Sequence, residues 1–206
     1  MINVKELQNK EKGLSCLNIS DYNRIIIVGN NGSGKSFLSK ELSVITGLPL
    51  IHLDAEFWRP NWEMPSKEEW LKKNAEFISK EKWIIDGMCS HGATLDLRFE
   101  AADLVIFLDI NRFTCLAGVI KRQGKKRSDT AINHYYDEKF DKRFIGFCKG
   151  IIDFNKTRRT KIMDLHKKYP GKPFFLIESR RKMHKLLSQW KDEKAQRMKL
   201  TKQKPL

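Results

Sequence analysis

The sequence predicts an α/β fold in three layers: a five-stranded parallel sheet with helices on both faces. Three observations predict it. Five short apolar runs alternate with longer stretches of helical periodicity, as when crossover helices cover a parallel sheet. The glycine-rich GNNGSGKS, Gly29 to Ser36, joins the first run to the first helix. Acids close the second, third and fourth runs, at the strand ends where such sheets hold ligands.

The elements follow in order. Residues 1–23 are polar and weakly patterned, an N-terminal extension. RIIIVG, Arg24 to Gly29, is short, apolar and β-branched, a strand buried on both faces. GKSFLSKELSVITG places Phe37, Leu38, Leu42 and Ile45 on one helical stripe, with Gly47 as the stop. LPLIHLD, Leu48 to Asp54, reads as a second strand ending in a carboxylate, and EFWRPNWEMP as an aromatic loop. SKEEWLKKNAEFISK is an amphipathic helix with Ser66 as N-cap and Glu69 three residues on. KWIIDG, Lys82 to Gly87, is the third strand; ATLDLRFEAA is a short helix; DLVIFLD, Asp103 to Asp109, is the fourth strand. NRFTCLAGVIKRQ is helical and GKKRSDT is a basic loop. Phe140, Phe144, Phe147 and Ile151 then mark one face of a long helical region. KPFFLIES, Lys172 to Ser179, is the fifth strand and RKMHKLLSQWK the last helix, with a frayed basic tail over 192–206. One domain over 24–191 results.

Composition narrows the function. The chain has 206 residues, 40% hydrophobic and 32% charged, enough for a real core. No apolar run approaches the roughly 20 residues of a membrane span, and the N-terminus lacks a secretory h-region. A cytoplasmic protein is expected. Cys16, Cys89, Cys115 and Cys148 match no metal or redox spacing, and the five histidines are scattered. Residues 1–110 hold 13 Lys and Arg against 16 Asp and Glu; residues 111–206 hold 27 against 9, a balance of +18. That half either meets an anion, polyphosphate or nucleic acid, or is a solvated basic face.

G-x-x-x-x-G-K-[ST] is met by Gly29, Gly34, Lys35 and Ser36. The pattern could be a glycine-rich turn matching by chance, but with a strand before it and a helix after it the context is that of the phosphate loop (P-loop), and a P-loop NTPase fold is expected. Its glycines let Asn30, Asn31, Gly32 and Ser33 fold so that main-chain N–H groups face phosphate oxygens, aided by the helix that follows. Lys35 is expected on the β- and γ-phosphates, and the Ser36 hydroxyl on Mg²⁺. Asp86 closes an apolar strand and orients Mg²⁺ through water, or caps a turn; Gly87 lets the chain pass close to a ligand. Asp109 reads as a cap, since Asn111 and Arg112 open a helix at once. The N-K-x-D of GTPases is absent, and ATP or GTP remain the candidate nucleotides.

The order GxxxxGKS, a strand ending LD, then a strand ending IIDG is similar to the adenylate-kinase-like P-loop kinases. The runs GLPLIHLDAEFWRPNW, EKWIIDG, TLDLRFEAADLVIFLD and R-x-x-C-L-x-x-V-I-K-R resemble the DNA topology modulation protein family, a bacterial branch of those kinases. The resemblance covers about residues 24–187. It implies the sheet order 2-3-1-4-5, an acceptor region over about 54–81 and a lid over about 121–136. It implies transfer of the γ-phosphoryl of Mg·ATP to a small anionic acceptor, a nucleotide or nucleoside being one class. Asp54 is then the acceptor's general base or a cap. Arg98 grips an anionic acceptor; Arg59 does the same or stacks on Trp58 or Trp62. Arg122 and Arg159, flanking the lid, reach the γ-phosphate, with Arg158 the alternative to Arg159. Members usually read D-G-N-Y after the third strand, whereas this chain reads Asp86, Gly87, Met88, Cys89. Either the acceptor differs or turnover is low. Two other readings stay open: an NTP-binding protein acting with DNA through the basic half, and a nucleotide-binding regulator with little turnover.

Overall fold

A computed structural model describes residues 18–59, 63–89, 91–122 and 142–202. The expected lid falls outside the described residues from 123 onward, as do Trp62, Cys16 and most of the N-terminal extension.

The chain runs β1 (Arg24–Gly29), α1 (Lys35–Thr46), β2 (Leu50–His52), α2 (Leu53–Phe57), α3 (Lys67–Ile78), β3 (Trp83–Asp86) and α4 (Thr94–Ala101). It continues through β4 (Leu104–Leu108), α5 (Arg112–Arg122), α6 (Lys142–Ile152), α7 (Arg158–Lys168), β5 (Phe174–Ile177) and α8 (Arg180–Lys202). Single turns of 3₁₀ helix stand at Ile19–Asp21, His91–Ala93 and Asp153–Lys156. The five strands form one sheet in the order β2-β3-β1-β4-β5. Every pairing is parallel, with Arg24 opposite Trp83 and Ile25 opposite Leu104.

Side-chain alternation along β1 makes the three layers. Ile25 and Ile27 face one way, into a core with Leu38, Leu42, Ile106 and Trp190, beneath α1 and α8. Ile26 and Val28 face the other way, packing with Trp70, Phe77, Phe107 and Ile162 beneath α3 and α7. Both sets are almost fully buried, which is why the strand carries no polar alternation.

Helix ends follow local chemistry. Gly47 closes α1 in the left-handed region at φ 77°, its N–H donating to the Ser43 carbonyl. Ser66 and Glu69 exchange both bonds of a capping box at the start of α3.

Three expectations are corrected. The second strand ends at His52, two residues before Asp54, because Leu53 and Phe57 turn inward four apart on a helix. Phe57 then meets Trp70 edge-on at 4.9 Å. Phe37 is not on the buried stripe of α1; it is partly exposed and lies against His184. The tail is no loose arm from Asp192: α8 continues to Lys202, with Lys191 paired to Glu41 and Lys194 Nζ bonded to the Val44 carbonyl at 2.6 Å.

Candidate active site

The phosphate loop spans the gap between β1 and α1. Gly29, Gly32 and Gly34 all take positive φ, at 150°, 79° and 103°. A side chain at Gly32 would also collide with α5, its Cβ standing 2.3 Å from the Cys115 carbonyl oxygen. Glycine is therefore required at this position for both conformation and space. Asn30 is fully buried; its Nδ2 donates to the Ile151 carbonyl at 2.9 Å, and its Oδ1 accepts from the Asn31 N–H at 2.8 Å. The Asn30 carbonyl accepts from the Ser33 N–H and, at 3.0 Å, from Lys35 Nζ. Lys35 is thus folded over the loop and only 7% exposed. Ser33 Oγ is buried with no hydrogen-bond partner. An orphaned hydroxyl and a buried ammonium in one loop are an arrangement that an oxyanion would complete.

Asp86 stands at the end of β3, 2% exposed. Its Oδ2 accepts from Ser39 Oγ at 2.7 Å and from His52 Nδ1 at 2.8 Å. An ionised carboxylate only accepts, so Nδ1 carries the proton in that bond. Burial pushes the Asp86 carboxyl up. The His52 ring, the Ser39 hydroxyl and the Lys35 ammonium outweigh it and hold the group below its usual value. A charged carboxylate is therefore kept beside the phosphate loop. No group of three His, Cys, Asp or Glu gathers for a metal among the described residues. Mg²⁺ needs none, since one or two protein oxygens with phosphates and water complete its shell. Ser36, in the first turn of α1, and Asp86 fit that demand.

A second cluster lies beyond Gly87, whose φ of 124° and 3.0 Å Cβ approach to Leu53 keep it glycine. Asp54, in the first turn of α2, accepts from the Cys89 thiol at 3.3 Å. The Cys89 carbonyl gathers three donors: Arg98 Nη2 at 2.9 Å, Thr94 Oγ1 at 3.1 Å and, more weakly, Trp70 Nε1 at 3.5 Å. Burial, then the Asp54 charge and hydrogen bond, raise the Cys89 thiol well above its usual value, so it stays protonated. Arg98 is 1% exposed, bonded through Nε to the Thr94 carbonyl, with Nη1 lacking a partner. Burial brings its pKa down to about 10, against the pull of the Asp54 charge. Met88 is buried in the core.

The remaining expected residues spread out. Arg159 grips Asp109 through Nε at 3.1 and 2.9 Å and Nη2 at 2.9 Å. Asp109 is not the cap of α5; Asn111 Oδ1 accepts from the Phe113 N–H there. Arg158 is exposed, and its charge is felt at Cys89. Arg59 pairs with Glu69 at 3.1 Å, both half-exposed, at the start of α3. Arg122 ends α5. A surface groove lined by Asp96, Thr160, Lys161 and Lys168 shares no residue with either cluster.

Three participants were missed from the sequence. Ser39 lies three residues after Ser36 on α1, so helical spacing already carried it to the same end of the sheet. His52 stands in register with Asp86 across two parallel strands. Arg180 touches the phosphate loop from 148 positions away, which no local pattern encodes.

No helix among the described residues is long and apolar enough to cross a membrane. No family model matches the chain, and neither does any curated protein, so the resemblance to the DNA topology modulation family finds no support there. Solved structures do match. A shikimate kinase from Acinetobacter baumannii, in complex with shikimate, aligns with TM-score 0.50 at 13% identity, over 91% of this chain and 98% of that one. A gluconokinase from Sinorhizobium meliloti gives 0.48 at 13%, over 89% and 98%. A deoxyadenosine kinase from M. mycoides with bound dATP gives 0.40 at 17%, over 82% and 99%. The shikimate kinase likeness together with the strand order shows the P-loop NTPase fold.

Proposed function

We propose that the chain is a P-loop phosphotransferase that moves the γ-phosphoryl of Mg·ATP to a small anionic acceptor bearing a hydroxyl. One observation carries the reading: a loop of three left-handed glycines, a buried Lys35 and an orphaned Ser33 hydroxyl stand beside an ionised, buried Asp86. Phosphoryl transfer asks little covalent chemistry of a protein; position and charge supply the rate.

In this reading the loop amides and Lys35 bind the β- and γ-phosphates. Lys35 exchanges the Asn30 carbonyl for phosphate oxygens, a stronger charge-assisted bond. Ser36 and Asp86 would hold Mg²⁺, which when bound neutralises charge on the β- and γ-oxygens. Ser39 and His52 fix the Asp86 carboxylate. The acceptor occupies the cluster beyond Gly87, where Asp54 takes the hydroxyl proton as the new P–O bond forms and ADP leaves. Arg98, with one donor unmet, draws the acceptor's negative group. Arg158 supplies further positive charge on that side, Arg159 being engaged by Asp109. The aligned shikimate kinase, in complex with shikimate, supports an acceptor of that size without fixing its identity.

The test is a coupled assay for ADP over a panel of hydroxylated carboxylates, sugar acids and nucleosides. One class should raise ADP production, and Lys35→Ala should lower it by at least about a hundredfold, the loss of one electrostatic contact in the transition state. Equal rates with and without every acceptor, unchanged in Lys35→Ala, would sink the reading.

A further inference from the structure

The first turn of α8 backs the phosphate loop. Arg180 Nη2 donates to the Gly32 carbonyl at 2.9 Å and lies 3.5 Å from the Thr114 carbonyl of α5. Three residues on, and so on the same helical face, Met183 packs behind Gly34, 3.5 Å from where a Cβ would stand. Gly118 leaves the gap for the guanidinium: a Cβ there would stand 2.5 Å from Nη2.

The bond falls on a particular peptide. The Gly32 carbonyl and the Ser33 N–H belong to one planar unit and point in opposite directions. Arg180 holds its outer end. Its inner end donates to the Asn30 carbonyl at 3.2 Å, which also receives Lys35 Nζ. The four groups form a chain from the rim of the molecule to the buried ammonium: the guanidinium polarises the Gly32–Ser33 peptide, whose N–H meets the Asn30 carbonyl that Lys35 also grips.

Resting on the phosphotransferase reading, we propose that Arg180 is a positioning residue of the phosphate loop. It acts through the Gly32–Ser33 peptide to keep the loop and Lys35 in the shape that accepts a polyphosphate. Gly118 is the space reserved for it. Among the described residues the Arg180 guanidinium bonds main-chain carbonyls, those of Gly32 and Thr114, so the dependence should follow the phosphates and ignore the base.

Two measurements test this on the full chain. In ligand-free protein, amide hydrogen exchange at Ser33 and Gly34 should quicken by about tenfold in Arg180→Ala, with the melting temperature little changed. Calorimetry with Mg·ATP and with magnesium tripolyphosphate should show both affinities falling by about tenfold, the scale of one charge-assisted bond. Arg180→Lys should recover part of the loss. Gly118→Ala, which displaces the guanidinium, should reproduce it, and the double variant should be no worse than either single one. Unchanged exchange in both Arg180→Ala and Gly118→Ala overturns the proposal whatever the binding shows. A loss confined to ATP, with tripolyphosphate unaffected, also overturns it and makes Arg180 a base contact. A wild type that binds neither probe removes the phosphotransferase reading, and exchange still decides the role of Arg180.

Discussion

Asp86 is the residue where opposing forces are easiest to separate. Burial disfavours its charge, and His52, Ser39 and Lys35 restore it. The folded-state value lies below the unfolded 3.8, so the stabilisation is complete above about that pH and is lost as pH falls through the folded value. Urea midpoints measured between about pH 6 and pH 3 should therefore fall more steeply in wild type than in Asp86→Asn. Parallel slopes would show that the carboxylate keeps an ordinary value. At this scale the sequence disclosed what was local. Lys35 and Asp86 were legible because a loop motif and an apolar strand each mark their end. The bonds that fix them were not: Arg159 to Asp109 spans 50 positions and Arg180 to Gly32 spans 148, and no periodicity links such pairs.

Among the elements, α8 departs most from its sequence. Its mean composition is polar, which made everything past Asp192 read as frayed. Along this stretch Lys191 and Lys194 reach Glu41 and the Val44 carbonyl of α1. Such exposed ties are worth little, while Trp190, 3% exposed, seats the helix on the sheet. Trp190→Ala should cost about 3–5 kcal/mol in urea denaturation. A chain stopped after Lys194 should lose less than about 1 kcal/mol. The reverse ranking would mean that the polar end, and not the indole, holds the helix. The short β2 teaches a related lesson. LPLIHLD has strand composition throughout, but Leu53 and Phe57 gain more by turning into the aromatic cluster with Trp70 than by extending the ladder. Tertiary packing overrode local preference there, and it moved Asp54 from a strand end into a helical turn facing Cys89.

For the whole molecule, the alternation of apolar runs and helices was enough to give a parallel sheet; the strand order came with the resemblance, since alternation alone leaves it open. That order puts β1 in the middle, paired on both edges with strands remote from it in the chain. A fragment ending at residue 101 keeps β1, β2 and β3 yet lacks β4. It should show no cooperative urea transition and no protease-resistant core, because β1 loses half its ladder and Ile106 and Phe107 leave both cores. A sharp transition in that fragment would show that the site assembles without the fourth strand.

The same placement has a cost during synthesis. The segment that becomes β1 leaves the ribosome with both hydrogen-bonding edges bare. Its first partner begins 59 residues later at Trp83, and its second 79 residues after Ile25 at Leu104. At about 5–20 residues per second the wait for the second partner lasts roughly 4 to 16 seconds. Throughout that interval at least one edge of an Ile-rich ribbon stays open and ready to stick to its neighbours, a hazard that ends when the segment of β4 emerges.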